Sequence, residues 1–109
     1  MYMQMNRKNI KKELENEKEV QRCAQEFRMV GDPTRLKICY LLCRHEEMTV
    51  GTIADAVSVS ISAVSHTLQK LKQAGMVVDR RDFRYVYYRM EKSLLSDLLR
   101  KKIHTYEKI

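Results

Sequence analysis

A mainly α-helical fold with a small β-hairpin is predicted by three observations. Five segments carry apolar residues at helical spacing, and three of them begin just after Asp32, Thr49 or Ser60, side chains suited to capping a helix. A stretch rich in Val and Tyr runs in near-alternation from Met76 to Met90, interrupted at Asp82-Phe83. The chain of 109 residues closes one core rather than two, so one domain is expected over residues 8–109, preceded by a frayed tail over residues 1–7.

Composition narrows the function before any motif is read. With 44% hydrophobic and 32% charged residues, one Pro and three Gly, the chain is not of the disordered or fibrous kind. It has no Trp and 7% aromatic residues, which argues against an aromatic cage. No run approaches the roughly 20 apolar residues of a membrane span, and Arg7-Lys8 lead into no apolar export segment. A cytoplasmic chain without membrane contact is expected, with its three cysteines reduced. The formal charge of +7 favours polyanionic partners. Residues 1–32 contribute +1, residues 33–75 +2 and residues 76–109 +4, so the excess lies toward the C-terminus.

The first helix is expected from Lys8 to Met29, with Val20, Cys23, Ala24 and Phe27 on one face and a charged first half projecting into water or against another subunit. Gly31-Asp32-Pro33 ends it. Asp32 caps the second helix, and Pro33 fits its first position because the missing N–H has no intrahelical partner there. That helix runs to about His45 with Leu36, Cys39, Tyr40 and Cys43 inward and Ile38, Leu41 and Leu42 widening the apolar surface. Thr49 caps a short helix through Ala56, with Val50, Ile53, Ala54 and Val57 inward. After the break at Ser58-Val59-Ser60, Ser60 caps a helix from Ile61 to Ala74. Ala63 or Val64, Leu68 and Leu71 face inward, and Gly75 stops it in the left-handed conformation. The hairpin pairs Met76–Arg81 with Arg84–Met90, and the last helix, Glu91 to about Tyr106, carries a stripe of Leu94, Leu95, Leu98, Leu99 and Ile103. The order is α-α-α-α-β-β-α.

Two short helices joined by a tight polar turn have the form of a helix-turn-helix, whose second helix lies in the major groove of duplex DNA. Ser62, Ser65, His66, Gln69 and Gln73 lie on the outward face of that helix. Short hydroxyls approach phosphates closely, and Gln and His donate or accept at base edges. A Ser-rich helix face alone is commonly just solvated. The following hairpin carries Arg80, Arg81 and Arg84, which can straddle backbone phosphate, and the pair together predicts a winged helix-turn-helix.

The ordered series Asp32-Pro33-Thr34-Arg35-Leu36, Ile53-Ala54, Val64-Ser65-His66-Thr67-Leu68, Leu71, Ala74-Gly75-Met76-Val77 and Arg84-Tyr85-Val86-Tyr87-Tyr88 resembles the ArsR/SmtB family of repressors, from about Val20 to about Tyr106. The resemblance implies a homodimer through its first and last helices, bound to an operator and released by an effector. The family's Cys-Val-Cys thiolate site aligns with Thr49-Val50-Gly51. Its zinc site on the last helix aligns with Lys92, Leu94, Thr105 and Lys108. None of these can supply the thiolate, carboxylate or imidazole ligands. No metal or cofactor is therefore expected, and a displaced site at Asp97, His104 and Glu107 more simply reads as solvated surface.

Cys39 and Cys43, four residues apart on one helix, are the remaining candidate sensor for a soft metal, oxidant or sulfane-sulfur effector, with Cys23 as a third participant. The alternative is that they fill the core as small apolar residues. Two further departures from the family touch DNA binding. Ile61 stands where polar residues are common, which points to a thymine methyl contact. Phe83 stands where the wing usually has Gly; a bulky residue resists positive φ, so Asp82 is expected to take that conformation and Phe83 to sit exposed at the tip, packing on a sugar or wedging at the minor-groove edge, with a merely solvated aromatic as the alternative. The expected DNA-binding set is thus Ser60, Ile61, Ser62, Ser65, His66, Gln69, Arg80, Arg81, Phe83 and Arg84. No nucleophile, base and orienter share a credible spacing, so no catalytic activity is expected. A constitutive or architectural DNA binder without effector is the competing reading. A protein-interaction module is a further one, which would call for an apolar or acidic recognition face that this chain lacks.

Overall fold

The computed structural model describes residues 7–107, with the backbone alone for residue 8 and residues 102–107. The elements are α1 (Arg7–Lys12), α2 (Glu17–Met29), α3 (Pro33–Arg44), β1 (Met48–Thr49), α4 (Val50–Val57), α5 (Ile61–Gln73), β2 (Val77–Asp82), β3 (Tyr85–Met90) and α6 (Leu94–Glu107). The strands form one antiparallel sheet in the order β1-β3-β2. Of the expected tail, only Arg7 falls among the described residues, and it opens α1.

The structure differs from the expected elements at several points. The single helix from Lys8 to Met29 is two helices, because Asn16 caps α2 by accepting from the Glu19 amide at 3.2 Å, and Glu three residues after an Asn cap has the spacing of a capping box. The hairpin gains a third strand: Met48 and Thr49 pair with Tyr88 and Tyr87 of β3, so the order is α-α-α-β-α-α-β-β-α. The inner face of α3 is rotated. Ile38, Cys39 and Leu42 are buried, whereas Leu36 and Tyr40 are exposed, and the Tyr40 hydroxyl accepts from the Arg44 guanidinium at 3.4 Å.

The core lies between α3, α4, α5, the sheet and α6. Ile53, Val64, Leu68 and Leu71 are wholly buried, closed over by Met76, Val77, Tyr88 and Leu95. The ends of α3, α4 and α5 are set locally. Asp32 accepts from the Arg35 amide at 3.0 Å, Thr49 from Thr52 at 3.3 Å and Ser60 from Ala63 at 3.2 Å, while Gly75 takes φ +76° after α5. Ser58, at φ +57°, turns the chain between α4 and α5. The last helix starts at Leu94 rather than Glu91 because Ser93 and Ser96 cap it reciprocally: the Ser96 amide donates to Ser93 Oγ and the Ser93 amide to Ser96 Oγ.

Candidate nucleic-acid interface

α5 is held to the body by Val64, Leu68 and Leu71, three residues on one face at i, i+4 and i+7. The opposite face is thereby fixed outward. Ser60, Ile61, Ser62, His66 and Gln69 are exposed, and Ser65 is half-buried. Ile61 is 62% exposed at the first turn, a branched apolar side chain left in water. Gln69 is partly committed: its Nε2 donates to the Tyr88 hydroxyl at 3.1 Å, which ties the recognition helix to the central strand of the sheet and leaves Oε1 as its free acceptor. Burial and the nearby Asp79 raise the Tyr88 pKa, with Lys72 and Gln69 opposing, so the hydroxyl is neutral around pH 7.

The wing is β2 and β3, with residues Val77 to Asp82 paired in unbroken register to Met90 down to Tyr85. Its three arginines differ. Arg80 is bound within the chain: its guanidinium donates through Nε and Nη2 to both oxygens of Glu47, at 2.7 and 2.8 Å, and lies 4.4 Å from the Tyr87 ring centroid. Hydrogen bonding to Arg80 lowers the Glu47 pKa, so the pair is ionised around neutrality. Arg81 and Arg84 are exposed and form no ion pair among the described residues, with Arg84 5.9 Å from the Tyr85 ring.

Phe83 corrects the expected turn. It is Phe83 itself, not Asp82, that has positive φ, at +56°. The ladder runs to Asp82↔Tyr85, so Asp82 is an extended strand residue and only Phe83 and Arg84 form the loop. Positive φ at the first loop residue and not the second is the signature of a type II′ hairpin turn, where Gly is favoured. The register decides the backbone and the aromatic side chain bears the strain, of order 1–3 kcal/mol. Phe83 is 93% exposed.

The cysteines are separated by environment. Cys39 is in the core, where burial, and then the neighbouring Cys43, push its pKa up to about 12. Cys43 is half-buried; its thiol points to the Ser96 carbonyl at 4.0 Å, and burial raises its pKa against the pull of Arg100. Cys23 is half-buried in a groove of about 500 Å³ between α2 and α6, lined also by Val20, Ala24, Phe27 and Leu94. Because the Cys39 value lies above the ordinary 9.0, its protonated burial supports the fold fully below pH 9.0, and that support is lost as pH rises from 9.0 toward about 12. Native protein treated with iodoacetamide at pH 8 should therefore label Cys39 only on unfolding. Labelling of Cys39 in the native protein as fast as in the denaturant-unfolded chain, read by peptide mass spectrometry, would contradict its burial.

The residues aligned with the family's metal sites do not fit a metal. Thr49 is engaged as the cap of α4, Leu94 is apolar, and among the described residues no three His, Cys, Asp or Glu side chains are grouped to hold an ion. Lys108 and the side chains of His104, Thr105 and Glu107 lie outside the described residues, and so does the Ile103 side chain of the expected stripe. No helix among the described residues is long and apolar enough to cross a membrane.

A helix-turn-helix whose second helix shows polar groups outward, followed by a hairpin with free arginines, defines a winged helix-turn-helix DNA-binding regulator. Residues 32–78 match the model of the bacterial regulatory protein, arsR family. The chain is 39% identical over 71 residues to the transcriptional repressor SdpR of Bacillus subtilis, covering 65% of this chain and 78% of SdpR. It is 30% identical over 83 residues to the cadmium resistance transcriptional regulatory protein CadC of Listeria innocua, covering 76% of this chain and 70% of CadC. The homodimeric winged helix-turn-helix DNA-binding domain of Mb0332 from Mycobacterium bovis superposes with a TM-score of 0.68 at 26% identity, covering 99% of this chain and 92% of that one. The chain belongs to the arsR family of bacterial regulatory proteins, and it is a transcriptional regulator rather than an enzyme.

Proposed function

We propose that this chain is a homodimeric, operator-binding repressor released by an effector that acts on thiols. The observation that carries the DNA-binding part is the placement of Ser62 and His66 outward on α5, on a chain whose exposed Arg81 and Arg84 extend from the adjacent wing. In this reading Ser62, Ser65, His66 and the free oxygen of Gln69 face bases or nearby phosphates, Ile61 meets a thymine methyl, Ser60 holds the helix entrance, and Arg81 and Arg84 bind phosphate. Arg80 supports the wing through Glu47 and is a weaker phosphate ligand than its neighbours.

The dimer reading rests on apolar surface that the single chain leaves in water. Val20 and Phe27 of α2 are exposed beside Leu94, 61% exposed, and Leu98 of α6. A second copy meeting this face would bury both stripes and place two recognition helices in successive major grooves of a two-fold operator. The homodimeric state of the Mb0332 domain supports this.

For release, Cys43 is the better placed thiol. It is more accessible than Cys39 and touches α6, so a bulky or charged adduct there would press on the contact between α3 and α6, with Cys39 and Cys23 as later participants. Selection from a random duplex pool, followed by treatment of the complex with peroxide, persulfide, arsenite or soft metals, tests the whole reading. The expected result is an inverted repeat with half-sites about one helical turn apart, released by at least one reagent from the parent and not from Cys43→Ser. Release of Cys43→Ser equal to the parent's would remove the thiol part. No release by any reagent would favour the constitutive binder, and no enriched sequence would overturn the operator reading.

A further inference from the structure

Phe83 combines two features that are each unfavourable in the isolated protein. It holds a backbone conformation that Gly adopts at no steric cost, and it exposes 93% of its surface to water. Among the described residues no ring pair compensates: the one such pair is Tyr85 with Tyr87, and Phe83 takes no part in it. Its setting, however, is ordered. The ladder below it is unbroken to Asp82↔Tyr85, so the ring is carried at the end of a defined hairpin, with exposed Arg84 beside it and Arg81 two residues before it.

We propose that Phe83 is a wedge, carried by the wing to the minor groove and inserted at a pyrimidine–purine step. The inference rests on the duplex-binding reading above and adds the sequence class read under the wing. Two cations flanking the tip would seek phosphates, and the apolar ring between them would then lie over base edges rather than over the charged backbone. Apolar side chains entering from the minor groove part stacked bases, and the cost is least at TA and CA/TG steps, which unstack readily. The ring leaves water only in the complex. Specificity would therefore arise at a position where the protein makes no hydrogen bond to a base.

The test uses the full chain, reduced, on its selected duplex with 2-aminopurine beside the step under the wing, and on the same duplex with that step replaced by a stiff A-tract. Phe83→Gly relieves the turn and Phe83→Asn tolerates it, and both remove the ring. The parent should raise 2-aminopurine fluorescence on binding and prefer the flexible step. Both variants should bind about tenfold more weakly, raise no fluorescence and lose the preference, with an unchanged salt slope because Arg81 and Arg84 remain. The Phe83→Gly melting temperature should equal or exceed the parent's, which separates lost contact from lost fold. Variants within about twofold of the parent, with its preference intact, overturn the wedge and leave the DNA reading standing. A parent without duplex affinity overturns both.

Discussion

If the proposed dimer forms through α2 and α6, replacing Phe27 and Leu94 together by Glu should leave folded monomers and weaken operator binding by about a thousandfold. Both side chains line the groove between α2 and α6, which borders the core without supplying it: α2 contributes no buried apolar residue, and of the α6 stripe Leu95 turns inward. The winged helix of each protomer, packed on Ile53, Val64, Leu68 and Leu71, should keep its circular dichroism spectrum and a cooperative melt. Two carboxylates buried per protomer at a symmetric interface are repeated by the partner, and each unpaired buried charge costs several kcal/mol. Losing the second half-site removes an effective-concentration advantage of about 10² to 10⁴. Sedimentation velocity checks the state and fluorescence anisotropy the affinity. A variant that sediments with the parent would place the interface elsewhere.

Neutralising Arg81 and Arg84 together should weaken binding to every duplex alike, whatever its sequence. Both are exposed and in no ion pair among the described residues, so their charge is available to phosphate, and a two-fold dimer would present four such contacts. Each phosphate neutralised contributes about 0.9 to the salt slope, roughly fivefold in affinity at 0.15 M relative to 1 M salt, and four together give several hundredfold. Arg80→Ala should behave differently. Its guanidinium already holds both oxygens of Glu47, so its loss should change the salt slope little and loosen the junction between β1 and the wing. Competition between operator and random duplexes separates the two classes of effect, because loss of a phosphate contact leaves the ratio unchanged while loss of a base contact does not.

Much of the fold was legible because its boundaries are written locally. Asp32-Pro33, Thr49, Ser60 and Gly75 each satisfy or end a helix through atoms within a few residues, and the inward sets of α4 and α5 follow directly from periodicity. What was not legible depends on partners distant in sequence. Two residues are too short to show alternation, so β1 exists only through Tyr87 and Tyr88, about forty residues on. The face of α3 could not be chosen from a helix that is apolar nearly all round; its packing against α4, α6 and β3 selects Ile38, Cys39 and Leu42. The break before α2 did have a local signal, Asn16 with Glu19, masked by the continuous run of helix-forming residues.

The site divides the same way. The outward residues of α5 follow from the inward ones, so Ser62 and His66 needed no tertiary information. The engagement of Arg80 with Glu47 and of Gln69 with Tyr88 spans 33 and 19 residues, which no spacing rule reaches. Phe83 lies at the tip as its position between the two Val- and Tyr-rich strands implies, but it takes the positive φ itself, because hairpin register overrides the preference of a single residue.

If α5 and the wing grip duplex from two sides, affinity for duplex lacking the operator depends steeply on salt. Over roughly 50–200 mM salt, log Kd against log salt should be linear and steep for the parent and shallower by about four for the variant lacking Arg81 and Arg84. A flat parent line, or equal slopes for the two proteins, would contradict it.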